Sequence, residues 1–269
     1  MPEKRYLFTP GPTPVPPEVL EALSRPIIHH RSSDFREIFG RCLDRLAEIY
    51  RTKGDVLVYT ASGTGGMESA VSNLTRPGDR VVVVSAGHFG ERWAAITRNF
   101  GCEVDELRYE WGESPAAEDL ARRLRELGDA KVVFTTHSET STGVVADVQG
   151  LAAAAKEAGA LVVVDAVSSL GAVPLETDAW GLDAVVSGSQ KALMSPPGLS
   201  MVSVSAPAWD LRAKATAPRF YLDWERTREA QEQLDAAFTP SRQARPSRTC
   251  SSNAASSCAC ASRVRSQSR

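Results

Sequence analysis

Lys191, a lysine in a turn of small residues, is the first candidate for chemistry in this sequence. It follows Ser-Gly-Ser-Gln at 187–190, which comes directly after a largely apolar run at 182–186. Such a run predicts a buried strand, so the amine lies at the rim of a sheet and is only partly hydrated. A desolvated amine can attack a carbonyl carbon and form a Schiff base. The alternative is a surface lysine in a loop, because lysines are rarely buried.

Asp165 is the second candidate, and it ends another apolar run, Leu-Val-Val-Val at 161–164. A carboxylate beside the ring nitrogen of pyridoxal 5′-phosphate (PLP) favours the protonated nitrogen and so raises its pKa. The protonated ring is the electron sink of PLP chemistry. Asp165 and Lys191 together therefore predict a PLP site. Alternatively, Asp165 caps the turn or helix that follows it.

Thr64, Gly65 and Gly66 follow a predicted strand and open a predicted helix. Free N–H groups and the positive end of the helix dipole would favour a phosphate there. The alternative is a plain strand-to-helix turn that uses glycine for its backbone freedom. No Lys-Ser or Lys-Thr pair follows, which argues against a P-loop. The third glycine of a dinucleotide-binding motif is also missing.

Composition excludes several classes of function. The 269 residues carry a net charge of −2, but residues 241–269 hold six arginines and no acid, so the remainder has a net charge of −8. An acidic body argues against a nucleic-acid partner. No apolar run approaches the roughly 18 residues of a membrane helix, and no signal peptide is evident. We therefore expect a cytoplasmic protein without a membrane partner. The cysteines lack the spacing of a zinc site, and no metal is expected.

Strands alternate with helices along the chain, which predicts an α/β fold with a mostly parallel, seven-stranded type of sheet covered by helices on both faces. The predicted strands lie at 56–59, 81–85, 103–107, 132–135, 161–165, 184–187 and 201–205. The predicted helices lie at 18–23, 33–51, 66–74, 90–100, 116–127, 149–158 and 226–236. Ligands of such sheets bind beyond the carboxyl ends of the strands, where all candidates above fall.

Several motifs occur in the order typical of one family. They are Thr-Pro-Gly-Pro-Thr at 9–13, His-Arg-Ser at 30–32, Ala-Ser-Gly-Thr-Gly-Gly-Met at 61–67, Gly-His-Phe-Gly-Glu-Arg at 87–92, Thr-His-Ser-Glu-Thr-Ser-Thr-Gly at 136–143, Val-Asp-Ala-Val-Ser-Ser at 164–169 and the lysine turn at 187–193. From about residue 7 to about 240 the sequence resembles the class V aminotransferases, which are fold type I PLP enzymes. The nearest branch is that of the alanine–glyoxylate and serine–pyruvate aminotransferases.

The resemblance implies roles for individual residues. Lys191 would carry the Schiff base and move a proton between the substrate Cα and the cofactor C4′, while Asp165 would pair with the ring nitrogen. The other cofactor-binding residues would be Thr64, Gly65, Gly66 and Gln190 at the phosphate, Phe89 stacked on the ring and Thr140 at the phenolic oxygen. Gly11 would line the substrate pocket.

Further positions are implied only loosely. Ser189 could also contact the phosphate. His137 and Glu139 would support the site from behind or serve the fold alone. In family dimers the partner supplies a Tyr and a Thr to the phosphate, for which Tyr221 and Thr239 lie in the right region.

The implied activity is transfer of an amino group from alanine or serine to a 2-oxo acid such as glyoxylate or pyruvate, in a homodimer. One alternative is another PLP reaction, such as that of a desulfurase or lyase. Desulfurases need a later mobile cysteine and usually a histidine before the lysine, whereas Gln190 stands there. A second alternative is a truncated fragment that binds PLP without turnover.

Three parts are expected: an extended, proline-rich arm at 1–17, a PLP-binding large domain at 18–240 and a tail at 241–269. The tail has nine serines and no acidic or large apolar residue except Val264, which predicts disorder. In the family a small C-terminal domain, carrying the arginine for the substrate carboxylate, would begin here. A frameshift would explain the change, and rereading the coding DNA in the other frames would test it.

Overall fold

A computed structural model describes residues 7–235. Its main feature is a seven-stranded sheet in the order β1-β9-β8-β7-β4-β2-β3. The strands are β1 (Asp55–Thr60), β2 (Arg80–Ser85), β3 (Glu103–Arg108), β4 (Val132–Thr136), β7 (Leu161–Asp165), β8 (Ala184–Gly188) and β9 (Leu199–Val204), and a separate hairpin pairs β5 (Ser138–Glu139) with β6 (Val144–Val145). Only β9 runs antiparallel to its neighbours, so the mostly parallel sheet that the sequence predicts is confirmed.

Eight helices accompany the strands in the described part of the chain. They are α1 (Pro17–Ser24), α2 (Ser33–Tyr50), α3 (Gly63–Leu74), α4 (His88–Asn99), α5 (Ala117–Leu127), α6 (Val148–Glu157), α7 (Ala206–Arg212) and α8 (Trp224–Asp235). None of these helices is both long enough and apolar enough to span a membrane.

Two hydrophobic cores lie on opposite faces of the sheet, because side chains alternate along each strand. In β2, Val82 and Val84 belong to the core with α2, α5 and α6, while Val81 and Val83 belong to the core with α3, α4, α7 and α8. All four valines are at most 2% exposed. A continuous apolar strand is therefore buried on both faces, as in other parallel sheets.

Strand β1 is the edge of the sheet, and α8 covers part of it. The Gln231 side chain accepts a hydrogen bond from Val58 N at 2.8 Å and donates one to Val56 O at 3.0 Å. These bonds satisfy backbone groups that an edge strand otherwise leaves unpaired. The region around 226–235 is thus joined to the sheet.

The predicted elements agree with the structure except at three places. Helix α3 begins at Gly63, three residues before the predicted start. Helix α7 and the β5–β6 hairpin were not predicted, because seven residues and two-residue strands are too short to show a period. The boundary at 240 and the predicted disorder of 241–269 lie outside the described residues, and the arm is described only from residue 7.

Candidate active site

The carboxyl ends of the parallel strands meet at one edge of the sheet, and every site residue predicted from the large domain follows such an end. Thr64 follows β1, Phe89 follows β2, Thr140 follows β4, Asp165 ends β7 and Lys191 follows β8. Short connections hold each residue within a few positions of a buried strand. The fold therefore brings together positions separated by more than 100 residues in sequence.

Asp165 is buried at this edge, with 3% of its surface exposed. One carboxylate oxygen accepts a hydrogen bond from Val167 N at 2.8 Å. The pKa of Asp165 is raised from 3.8 to about 6, mainly by burial. The Val167 N–H lowers this pKa. The charge of Glu139 raises it, and the charges of Arg92 and Lys191 lower it. Asp165 is thus a desolvated carboxylate facing two cations.

Lys191 lies half-buried in the turn after β8. Burial lowers the pKa of the Lys191 amine below its usual value, while the Asp165 carboxylate acts in the opposite direction. The turn is fixed by backbone bonds, from Met194 N to Lys191 O at 2.9 Å and from Ser195 N to Ser189 O at 3.0 Å. A partly dehydrated amine therefore stands on a rigid turn, within electrostatic range of a buried carboxylate.

The N-terminal arm lies directly on this turn. Thr13 N donates to Gln190 O at 3.0 Å, and Thr13 Oγ1 donates to Lys191 O at 2.9 Å. A methyl group at Gly11 would collide with Lys191 Cδ and would lie 3.0 Å from Nζ. Any larger residue would force the Lys191 side chain to move, so glycine lets the arm pass close to the lysine in its present position. The predicted location of Gly11 at the site agrees with this geometry, and its contact with substrate stays a prediction.

Of the three residues predicted at the glycine turn, Gly66 lies furthest inside α3. Because α3 begins at Gly63, Gly66 N already donates to Ser62 O at 3.2 Å, and the N–H groups of Gly63, Thr64 and Gly65 precede this first helical bond. A methyl group at Gly66 would collide with Ser200 Oγ. Gly66 therefore packs α3 closely on the sheet, the N–H groups of the residues before it are open to an anion, and the contact of Gly66 with a phosphate stays a prediction.

Phe89 is held at the start of α4 by a buried glutamate. Glu139 Oε2 accepts bonds from Phe89 N at 3.0 Å and Gly90 N at 3.2 Å, and Glu139 Oε1 accepts bonds from Ser141 N at 3.1 Å and Ser141 Oγ at 2.6 Å. A carboxylate at a helix N-terminus is favoured by the dipole and by the unpaired N–H groups. Glu139 thus fixes the backbone that carries the aromatic ring.

Two side-chain contacts to the loop after β7 complete this edge. Thr140 Oγ1 lies 2.6 Å from Ser168 Oγ, and His137 Nδ1 lies 2.9 Å from Ser169 Oγ. His137 is buried, which lowers its pKa. Through Ser169 it contacts the loop that follows β7 and Asp165, which agrees with a role in supporting the site.

Gln190 Oε1 is buried without a hydrogen-bond partner among the described residues. Ser189 Oγ, in contrast, donates to Pro196 O at 2.6 Å and accepts from Leu199 N at 3.3 Å, so its hydroxyl is occupied within the loop. Tyr221 is largely exposed and donates to Thr60 O at 3.2 Å, and Thr239 lies outside the described residues.

Sequence reasoning assigned no role to Arg92 or Ser168, although each lies beside an assigned residue. Arg92 Nη1 donates to Thr64 Oγ1 at 3.0 Å, and its guanidinium carbon lies 4.6 Å from the centre of the Phe89 ring. The sequence did contain a signal for Arg92: it lies three residues after Phe89 in a predicted helix, and residues three apart share a helix face.

The residues present fit PLP. An amine of lowered pKa suits an aldehyde, a buried carboxylate suits a protonated ring nitrogen, and free N–H groups at the start of α3 suit a phosphate. Within residues 7–235, no three His, Cys, Asp or Glu side chains are grouped so that they could hold a metal ion.

The sheet order and the site at its edge define the large domain of the fold type I PLP-dependent transferases. Residues 5–213 match the family "Aminotransferase class-V", and the chain belongs to this family. The family implies PLP as the cofactor.

Similar proteins carry different names. A protein of Anabaena cylindrica named "Soluble hydrogenase 42 kDa subunit" is 44% identical over 89% of this chain and 63% of its own length. A "Serine--glyoxylate aminotransferase" of Methylorubrum extorquens is 35% identical over 83% of this chain and 58% of its own length. The crystal structure of an aspartate aminotransferase from Thermus thermophilus, 42% identical, superposes with a TM-score of 0.80, over 88% of this chain and 66% of that one. The chain thus spans about 60% of the length of the curated relatives it matches.

Proposed function

We propose that this chain is the cofactor-binding part of a PLP-dependent aminotransferase. The observation that carries the proposal is the meeting of Lys191 and Asp165 at one edge of the sheet, where burial shifts the pKa of both groups. Perturbed groups of opposite charge in one cleft are typical of active sites. Family membership supports the same chemistry.

Lys191 is the residue that would bind the cofactor's aldehyde and move the proton. Because its pKa is lowered, a larger fraction of the amine is neutral near pH 7 than for an ordinary lysine. The neutral amine can take a proton from the substrate α-carbon and return it to C4′ of the cofactor. When bound, PLP supplies the electron sink that stabilises the charge left on the α-carbon.

Asp165 would hold the proton on the cofactor's ring nitrogen. A positive charge beside it would favour the ionised carboxylate, as Arg92 and Lys191 do in the structure. Phe89 would fix the ring plane, which contributes about 1 kcal/mol. Thr140 would bond the phenolic oxygen, and Thr64, Gly65 and Gln190 would hold the phosphate.

The proposed reaction moves an amino group from a small amino acid, alanine or serine, to a 2-oxo acid, glyoxylate or pyruvate. The name of the Methylorubrum relative supports serine and glyoxylate, and that of the Thermus protein makes aspartate a further donor to test. We also propose a cytoplasmic homodimer. Large exposed apolar side chains, such as Leu23 at 61% and Ile27 at 101%, support an association that covers them.

Borohydride reduction tests the proposal. The full chain is incubated with PLP, its absorption spectrum is recorded, and the reduced protein is digested to find the modified peptide by mass. We expect a band from the covalent bond and a pyridoxyl group on Lys191. Lys191→Ala should abolish both, whereas Lys131→Ala, at the exposed start of β4, should change neither.

The absence of a band in the wild-type chain would refute the cofactor proposal. If the band forms, each amino acid is added in turn and conversion to the pyridoxamine form is followed. Conversion by alanine or serine supports the proposed donors. A band that no donor converts would instead support a chain that binds PLP without turnover.

A further inference from the structure

We propose that Arg92 is a positioning residue for the phosphate-binding turn, and that it makes the site prefer a phosphorylated over an unphosphorylated ligand. The inference rests on the proposed function, because PLP is the phosphorylated ligand concerned. It assigns Arg92 to the start of α3 through Thr64, and not to the ring through Phe89.

The geometry of Arg92 connects two helices. Its Nη1 donates to Thr64 Oγ1 at 3.0 Å, in the first turn of α3, and its Nη2 lies 3.1 Å from His88 Nε2, in the first turn of α4. A guanidinium has only donors, so His88 Nε2 is the acceptor in this pair. The planar fork is thereby held at both ends, and lysine could not reproduce it.

The bond to Thr64 determines where the hydroxyl points. Because Thr64 Oγ1 accepts from the guanidinium, the hydroxyl hydrogen stays available for a different acceptor. A phosphate oxygen in front of the free N–H groups of α3 is such an acceptor. Arg92 thus leaves Thr64 prepared to donate to an anion.

Arg92 is within electrostatic range of Asp165 but does not pair with a carboxylate at salt-bridge distance among the described residues. Among residues 7–235 Arg92 forms no salt bridge, whereas Arg98 on the same helix pairs with Glu106 at 2.6 Å. Arg92 is also half-buried, so its charge is screened less by water than that of a surface arginine. The positive end of α3 and this guanidinium act in the same direction on a phosphate dianion.

The ring contact is the competing explanation. The guanidinium carbon lies 4.6 Å from the Phe89 ring centre, so Arg92 could instead support the aromatic platform. A role at the platform would affect every ligand that carries the pyridine ring. A role at the phosphate turn would affect only a ligand that carries the phosphate.

Two ligands therefore separate the roles. The dissociation constants of PLP and of pyridoxal, which lacks the phosphate, are measured for the full chain by absorbance titration. For Arg92→Met we expect the preference for PLP over pyridoxal to fall about tenfold, since a hydrogen bond with a charged partner is lost. Arg98→Met is the matched control on α4 and should leave the preference unchanged.

A double-mutant cycle tests the path through Thr64. If Arg92 acts by orienting that hydroxyl, Arg92→Met should reduce the preference less in a Thr64→Val background than in the wild type. Arg92→Lys keeps the charge without the fork, and we expect a smaller loss than for Arg92→Met. The lysine variant also serves if the methionine variant does not fold.

Equal weakening of PLP and pyridoxal by the Arg92 variants would overturn the proposal and assign Arg92 to the ring platform. An unchanged preference would overturn it as well. These results are distinct from a wild-type chain that binds neither ligand, which would overturn the proposed function itself.

Discussion

Two buried aspartates at opposite ends of the sheet show how differently this fold treats the same side chain. Asp183 lies at the amino end of β8 and accepts bonds from Lys156 Nζ at 2.6 Å, Val162 N at 2.8 Å and Ser205 Oγ at 3.0 Å. Asp165 lies at the carboxyl end of β7 and accepts from Val167 N. Both are 2–3% exposed.

The difference separates a structural carboxylate from a functional one. Buried polar groups are usually fully hydrogen-bonded, and a buried charge without an ion-pair partner is costly. Asp183 joins β7, β8, α6 and the start of α7, so its partners belong to the fold. Asp165 lacks comparable partners within the described residues, which leaves its charge available to a bound ligand.

Replacing each aspartate by asparagine should produce the largest effect, a difference between the two losses in the free energy of unfolding. Asp183→Asn leaves three donors facing a neutral amide and should cost about 3 kcal/mol in the free energy of unfolding. Asp165→Asn should cost less than about 1 kcal/mol, because it removes a desolvated charge. Denaturant unfolding of the cofactor-free protein measures both, and equal losses would refute the distinction.

The pH dependence of stability should show the second largest effect. The pKa of Asp165 is raised on folding, from 3.8 to about 6, so the folded protein binds more protons in this interval. Stability from this group is complete below about pH 4 and is lost as pH rises to about 6. With about 1.4 kcal/mol per pKa unit, a shift of about two units corresponds to a loss of order 3 kcal/mol.

The comparison of wild type with Asp165→Asn isolates this contribution from those of other carboxylates. The stability difference between the two cofactor-free proteins should shift in favour of the variant between pH 4 and 6.5. A constant difference across this range would mean that Asp165 titrates near its unfolded value.

The arm should produce the smallest effect. Thr13→Val keeps the shape of the side chain but removes the bond to Lys191 O, which should cost about 1 kcal/mol. If the arm helps to order the lysine turn, reduction of PLP onto Lys191 should also slow. Thr9→Val, which removes only an exposed bond to Pro12 O within the arm, should do neither.

The fold could be predicted in large part because its signals are local. Runs such as residues 81–84 indicate buried strands, and the alternation of strands and helices implies a parallel sheet. The hairpin of β5 and β6 escaped prediction because two residues show no period. The start of α3 at Gly63 escaped prediction because glycine has a low helix propensity, which is overridden here by close packing of Gly63 against Val167 and of Gly66 against Val186 and Ser200.

The sequence by itself determined which residue types stand at the ends of the strands, and therefore that Lys191, Asp165, Thr64, Phe89 and Thr140 share one edge. Only the tertiary structure decided the state of these groups. Contacts between distant segments produce these states. They desolvate Asp165 and Lys191, occupy the hydroxyl of Ser189, pack Gly66 against the sheet and join Arg92 to Thr64. Hydrogen-bond partners and dielectric surroundings are properties of the assembled site, whereas the succession of strands and helices along the chain follows from local pattern.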